Sequence, residues 1–443
     1  MGRALPRLDA GLIGVELFDQ LRGIIGIAVL MGIAWAISEN RRGHPGWRWI
    51  AGALAMQGLL ALLIVRVPFV WAAVGLVNNA VSAVEAATLK GSGYMFGYLG
   101  GAELPFVLKE GAQPPLVIAF QILPLVIVFS ALSALLWHWG VLRWMVNGLS
   151  FLLRRSLGVS GPVGLAGGAA LFLGVVETPL VTRAYFARVS RSELFQLMVL
   201  AMATISGALL VLYATTLKAV VPDAVGHLIA ASLVSIPAAL LVARLMVPEQ
   251  AEDTATPVDG GEDGEAEPSL AYDSSIDAIM RGTADGMQLF LSVIAVIITV
   301  FALVALVDGM LAALPYVEGA PLSLKRLMGW ALAPLMWLIG VPWGEAQAAG
   351  GLMGTKAVLN EYVAYLELAA LPAGTLGLRS ELIVTYALCG VANLASVGLL
   401  VTTIGTLCPE RRAEAAGLGM KSWIAGNLAS AMTGAWIGLV TLA

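Results

Sequence analysis

The chain has 443 residues, of which 59% are hydrophobic and 12% charged, with a formal net charge of −4 and a mean hydropathy of +0.87. A soluble domain carries about 25% charged residues, so this composition excludes a water-soluble globular protein, and without a basic excess it gives no footing for nucleic acid. What remains is an all-α polytopic membrane protein, because apolar runs of about 18 or more residues, each able to cross a hydrocarbon core about 30 Å thick, recur along the chain.

In chain order, the first run is 23–38; no short apolar core with a small-residue cleavage site precedes it, so it is expected to be retained as a span. Further spans are expected at 49–66, 115–137, 190–217, 225–247, 283–314, 380–405 and 417–441, eight in all. Two apolar pieces, 158–187 and 341–372, are too broken by Gly and Pro to cross alone and read as re-entrant helical hairpins. The stretch 248–275 is acidic, contains Pro, Gly and Ser and lacks Lys and Arg, the composition of a solvated linker. The expected organisation is therefore scaffold helices over 1–137, a first repeat with hairpin 1 over 138–247, the linker 248–275, a central scaffold helix over 276–315, and a second repeat with hairpin 2 over 316–443. Arg41, Arg42, Arg48, Arg143, Arg154, Arg155, Arg411, Arg412 and Lys421 all fall on one side of this topology, which the positive-inside rule makes cytoplasmic, with Lys325 and Arg326 as exceptions.

Neither Cys389 with Cys408 nor the scattered His44, His138 and His227 has metal-ligand spacing, so no metal centre is expected. No metal triad or activated Ser/Cys arrangement marks an enzyme either, and no catalytic residue or cofactor is assigned.

Blocks 158–217 and 341–405 share an order of features. "AGG" stands at 166–168 and 349–351, Glu177 follows Gly168 by nine positions and Glu361 follows Gly351 by ten, "RSEL" stands at 191–194 and 379–382, and a polar helix-interior stretch follows at 203–211 and 392–401. Three expected spans, 190–217, 225–247 and 283–314, separate the two hairpin pieces, so the second copy enters from the opposite face, the mark of an inverted-repeat transporter with its binding site between broken helices.

A carboxylate at membrane depth costs roughly 2.5 to 3.5 kcal/mol on insertion scales, so Glu177, within "ALFLGVVETPLV", persists only beside a cavity or partner. The surrounding glycines and Pro179 put it near a hairpin tip, where unpaired backbone groups can hold a polar solute. Glu361, in "GTKAVLNEYVAY", can accept hydrogen bonds from adjacent substrate hydroxyls. The competing reading is an ion pair with Lys356, which sits five positions away and fits one helical face poorly. Asn393 and Ser396, three apart, share a helical face, with Thr204 and Ser206 in the matching place of the first copy. Glu345 in "VPWGEA" reads as serving a helix N-terminus.

With those residues in view, the chain resembles the concentrative nucleoside transporter family. The resemblance runs from "LRGIIGIAVLMGIAWAISENRR" through "LGVVETPLV", "APLMWLIGVPWGEA" and "YALCGVANLASVG" to "PERRAEAAGLGMKSW", and is most specific at 354–365, which matches the family's Gly-x-Lys-x-x-x-Asn-Glu-Phe/Tyr-Val-Ala signature. It implies a homotrimer of eight-span protomers in a bacterial inner membrane that import nucleosides by cation symport through elevator-type alternating access. It further implies that Glu361, Asn393 and Ser396 hold the ribose, that Val175, Val176 and Glu177 meet the nucleobase, and that a coupling sodium would sit at Ala170, Leu173, Thr204 and Ile205.

The sequence departs from the family in two places. The usual "GQTE" reads "GVVE", and the usual Asn near the sodium is Ala170. Losing an oxygen ligand disfavours a hard cation, whereas a carboxylate in a poorly hydrated pocket can take up a proton. Glu177 is thus the expected carrier of a coupling proton. Sodium coupling, or the same fold moving a different ribosyl or polar solute, stands as the alternative.

Overall fold

The computed structural model describes residues 10–109, 116–218, 220–249, 271–317 and 319–441, so most of the expected acidic linker, 250–270, lies outside the described residues. Among them the chain is helical, and its only bridge of β type joins Val317 to Ala320. The N-terminal part comprises α1 (Ala10–Ala36), α2 (Trp47–Arg66), α3 (Pro68–Phe96), the single turn α4 (Ile118–Gln121) and α5 (Pro124–His138). α3 answers to no expected span. Its 29 residues include Asn78, Asn79, Glu85 and Lys90, too polar for a hydropathy signal, yet Pro68 at its start and Gly97 at its end punctuate it clearly.

From α5 onward one succession of elements occurs twice. After α5 come α6 (Val141–Leu157), α7 (Gly161–Ala170), α8 (Glu177–Thr182), α9 (Arg191–Ala203), α10 (Gly207–Leu217) and α11 (Ala224–Met246). Then α12 (Ser275–Ala312) is followed by α13 (Leu324–Leu338), α14 (Trp343–Val358), α15 (Glu361–Ala369), α16 (Leu378–Leu388), α17 (Leu394–Leu407) and α18 (Arg412–Val440). α5 packs along α12 and α11 along α18, each element on its counterpart. The fold is an all-α membrane protein with two re-entrant hairpins, α7–α8 and α14–α15. Six described stretches are long and apolar enough to span a membrane, α13 and α14 form a further apolar pair bent by 118°, and α17 and the described part of α1 are shorter apolar helices.

Three features differ from the sequence expectation. The stretch 190–217 is unwound at Thr204–Ser206, between α9 and α10. The expected span 380–405 is two helices separated at Cys389–Asn393. The polar residues that read as helix-interior therefore lie at breaks, because Ser and Asn compete for backbone N–H groups and favour caps: Ser206 accepts from Leu209 N–H and Asn393 from Ser396 N–H, at 3.4 and 2.9 Å. The third difference is α6, an amphipathic helix preceding hairpin 1. It buries Leu142, Val146, Ser150, Leu153 and Leu157, spaced three or four apart, and exposes Trp144 and Phe151.

The two breaks cross backbone to backbone. Val391 N–H donates to the Thr204 carbonyl (3.3 Å), and Gly390, at φ +133°, lies so close to α9 that a Cβ would fall 3.0 Å from the Ala203 carbonyl carbon and oxygen. Gly390→Ala would meet both that contact and a backbone conformation costing an L residue about 1–3 kcal/mol. A fall of several degrees in thermal midpoint is expected, read by size-exclusion after heating; an unchanged midpoint would contradict this crossing.

Element ends around hairpin 1 are tied by charge. Glu39, after α1, accepts from Arg191 at the start of α9 and from Lys421 of α18, at 2.8 and 2.6 Å. The Arg191 hydrogen bond and the Lys421 ammonium hold its carboxyl down at about 2. Arg191 also pairs with Glu414, which in turn pairs with Arg411.

Candidate functional site

Glu177 and Glu361 occupy corresponding places: each is the first residue of its hairpin's second helix, α8 and α15, just after the chain turns. That position follows from the local sequence. Pro179 sits in the first turn of α8, where its missing N–H interrupts no helical bond, and Asn360 caps α15 by accepting from Val363 N–H at 2.8 Å. Both carboxylates thus lie at the positive end of a helix.

Glu361 is buried, 4% exposed, and held from two sides. Tyr213 of α10 donates its hydroxyl to Oε1 at 2.6 Å, and Asn393, at the α16–α17 break, donates Nδ2 to Oε2 at 3.0 Å. Asn393 Oδ1 in turn accepts from the backbone of Ser396, so Glu361, Asn393 and Ser396 form one connected cluster. Lys356 does not pair with Glu361: its buried Nζ donates to Ser430 Oγ of α18 (2.5 Å) and to the Ala387 carbonyl near the end of α16 (3.3 Å). The ion-pair reading is thereby replaced by one in which Lys356 fastens hairpin 2 to α16 and α18. Glu345 meets its expectation, accepting from the N–H of Gly377, the N-cap of α16, at 3.1 Å.

Glu177 folds back onto the tip of hairpin 1. A Cβ on Gly174 would lie 2.5 Å from its Oε2 and 3.3 Å from Ser206 Cβ, so tip, carboxylate and the α9–α10 break form a second cluster. Val175 and Val176 are half-buried beside it, and Val175 packs against the main core. No hydrogen bond joins Glu177 to Glu361. The clusters are linked instead through the crossing of Thr204 with Val391, the residue two before Asn393.

Three family models match the chain in succession: the N-terminus of the Na+ dependent nucleoside transporters over residues 25–99, a gate model described as nucleoside recognition over 119–220, and the C-terminus of the Na+ dependent nucleoside transporters over 227–438. An uncharacterized transporter of Haemophilus influenzae is 36% identical over 425 residues, spanning 95% of this chain and 97% of that one. Nucleoside permease NupC of Helicobacter pylori is 30% identical, with 96% and 98% covered. The structure of CNTnw in an inward-facing substrate-bound state superposes with a TM-score of 0.85 at 34% identity, covering 95% and 98%. The chain belongs to the concentrative nucleoside transporter family.

The residues that the family resemblance matches to a coupling cation lie along hairpin 1 and at the α9–α10 break, and their side chains offer a single oxygen. Ala170 is fully buried and carries no oxygen in its side chain; Thr204 is buried and donates its hydroxyl to the Leu200 carbonyl at 3.0 Å. The Thr204 carbonyl receives Val391 N–H, the Phe172 carbonyl receives Gly207 N–H (3.0 Å), and the Leu173 carbonyl receives the Thr178 hydroxyl (3.4 Å). Ile205 is buried at the break with only its backbone to offer.

Tyr213 was not singled out in the sequence, although it stands seven positions after Ser206, two helical turns along one face of α10. It stacks with Tyr362 and tilts against Tyr365 as it reaches Glu361. Removing one charged hydrogen bond costs about 1.5–3 kcal/mol. Tyr213→Phe is therefore expected to lower the thermal midpoint by a few degrees and, by releasing the Glu361 carboxylate from its fixed orientation, to raise the KM for nucleoside uptake about tenfold. A parental KM would show that Tyr213 does not orient Glu361.

Proposed function

We propose that this transporter imports nucleosides by proton symport, with Glu361, Asn393 and Ser396 accepting and donating hydrogen bonds to the ribose and Val175, Val176 and Glu177 facing the base. The observation that carries the reading is Glu361: a buried carboxylate at a hairpin tip, held by a tyrosine from one repeat and an asparagine from the other, offers its remaining lone pairs to vicinal hydroxyls. Two valines in place of amide and hydroxyl groups leave Glu177 as the polar group for the base.

Proton coupling is supported by the cation positions. Their side chains supply one oxygen, on Thr204, where the family's usual Asn would add a second, whereas a sodium ion wants several oxygen donors. One proton per nucleoside across 100 mV supplies about 2.3 kcal/mol, roughly fifty-fold accumulation. The movement fits an elevator in which the α5–α12 pair stays fixed while the repeats 138–247 and 316–443 carry the hairpins, with α1 and α2 travelling with them because they pack on α11 and α18. Support comes from the close packing of α5 on α12. α12, buried over only 6% of its apolar window, is free to meet lipid or two further copies in a homotrimer of the bacterial inner membrane.

The test is uptake of labelled uridine into proteoliposomes under an imposed pH gradient or an imposed sodium gradient. Accumulation is expected with the pH gradient; accumulation with sodium alone rejects proton coupling, and accumulation with neither rejects the nucleoside reading.

A further inference from the structure

The face on which hairpin 1 opens holds more arginine than its acids can pair. Hydrogen bonds between element ends assemble that face: Trp49 Nε1 donates to the Leu157 carbonyl (2.7 Å), Ser192 Oγ to the Val247 carbonyl (2.6 Å), and Arg411 to the carbonyls of Phe186 and Val189. The acids there are occupied. Glu39 and Glu414 bridge Arg191, Lys421 and Arg411; Glu249 pairs with Arg244; Glu193 closes the capping box of α9. Arg48, Arg154, Arg155, Arg183 and Arg188 are exposed and have no acidic partner among the described residues. Beside them Trp47, Trp144 and Phe151 are 73%, 77% and 68% exposed. Cations interleaved with aromatic rings on an amphipathic helix form the chemistry of a membrane–water boundary.

We propose that α6 and the N-terminus of α2 form a binding site for the headgroups of anionic phospholipids, and that its occupancy braces hairpin 1. Charge complementarity selects the ligand: unpaired guanidinium groups take phosphate oxygens bidentately, and clustered Arg at a cytoplasmic boundary draws anionic lipid. Three glycine contacts connect the site to the hairpin. A Cβ on Gly164 of α7 would lie 2.8 Å from Arg154 Cγ, one on Gly167 would lie 2.6 Å from Leu153 Cδ1, and one on Gly168 would strike the Val146 carbonyl. The stem of Arg154 therefore lies directly on the hairpin, and fixing its guanidinium fixes α7.

The measurement is the thermal midpoint of the purified full chain in detergent, titrated with phosphatidylglycerol or with phosphatidylcholine, at low and at high salt. Phosphatidylglycerol is expected to raise the midpoint by several degrees at low salt and phosphatidylcholine is not. The concentration giving half the effect should rise about fivefold for each arginine removed in Arg48→Gln, Arg154→Gln and Arg155→Gln, and rise by less in Arg154→Lys, which keeps the charge and loses only the bidentate contact. Each variant is read as the difference with and without lipid, so a change in its basal stability does not enter. Equal shifts from the two lipids, or a phosphatidylglycerol shift untouched by the Gln variants, overturn the proposal. A shift that emerges only after the seven acids of 250–270 are changed to amides also overturns it, by giving the face to the linker.

Discussion

Glu361→Gln is expected to lower nucleoside uptake by at least about a hundredfold, with a thermal midpoint close to the parental one. The carboxylate sits between two donors, Tyr213 Oη and Asn393 Nδ2, and still has lone pairs for substrate hydroxyls. A carboxamide supplies one acceptor oxygen and two donor hydrogens, so it cannot satisfy both neighbours and the ribose together. Losing two hydrogen bonds to a charged acceptor, at about 1.5–3 kcal/mol each, accounts for a factor of a hundred or more. Uptake in proteoliposomes and the thermal shift on adding uridine measure the effect independently. Parental uptake, or a parental shift with uridine, would remove Glu361 from the substrate site and with it the ribose assignment of Asn393.

The second large effect is expected at the other tip. Glu177→Gln should abolish accumulation driven by a pH gradient while preserving exchange of internal for external uridine, because exchange needs the carrier to move loaded and needs no net proton. The residue lies at the first turn of α8, folded over Gly174, which in turn lies beside Ser206 at the α9–α10 break. Accumulation at the parental level in this variant would make some other group the proton carrier; loss of exchange together with accumulation would make Glu177 part of substrate binding alone.

The two hairpin-tip acids were readable because charge and apolarity conflict: a glutamate inside a Gly-rich apolar run has few explanations in a membrane, and the ordered recurrence of the same features pointed to two such places. The helix breaks were harder to read. Ser206 and Asn393 look like ordinary polar residues within long apolar runs, and only the backbone N–H groups they accept from reveal them as caps. Tyr213 gave less still. An amphipathic ring in an apolar helix is common, and its partner Glu361 is 148 residues away. The partners of Lys356 were out of reach for the same reason, since Ser430 and Ala387 become its neighbours only when α14, α16 and α18 pack together.

By itself, the sequence determined the membrane class, most span positions, the two hairpins and the identity of the two acids, because these depend on local composition and on the penalty for charge in hydrocarbon. Tertiary structure decided which donors hold each acid, where the long runs unwind, and that the two clusters meet through Thr204 and Val391. Those outcomes depend on which distant backbone and side-chain groups come within about 3 Å of one another. No local pattern encodes that proximity.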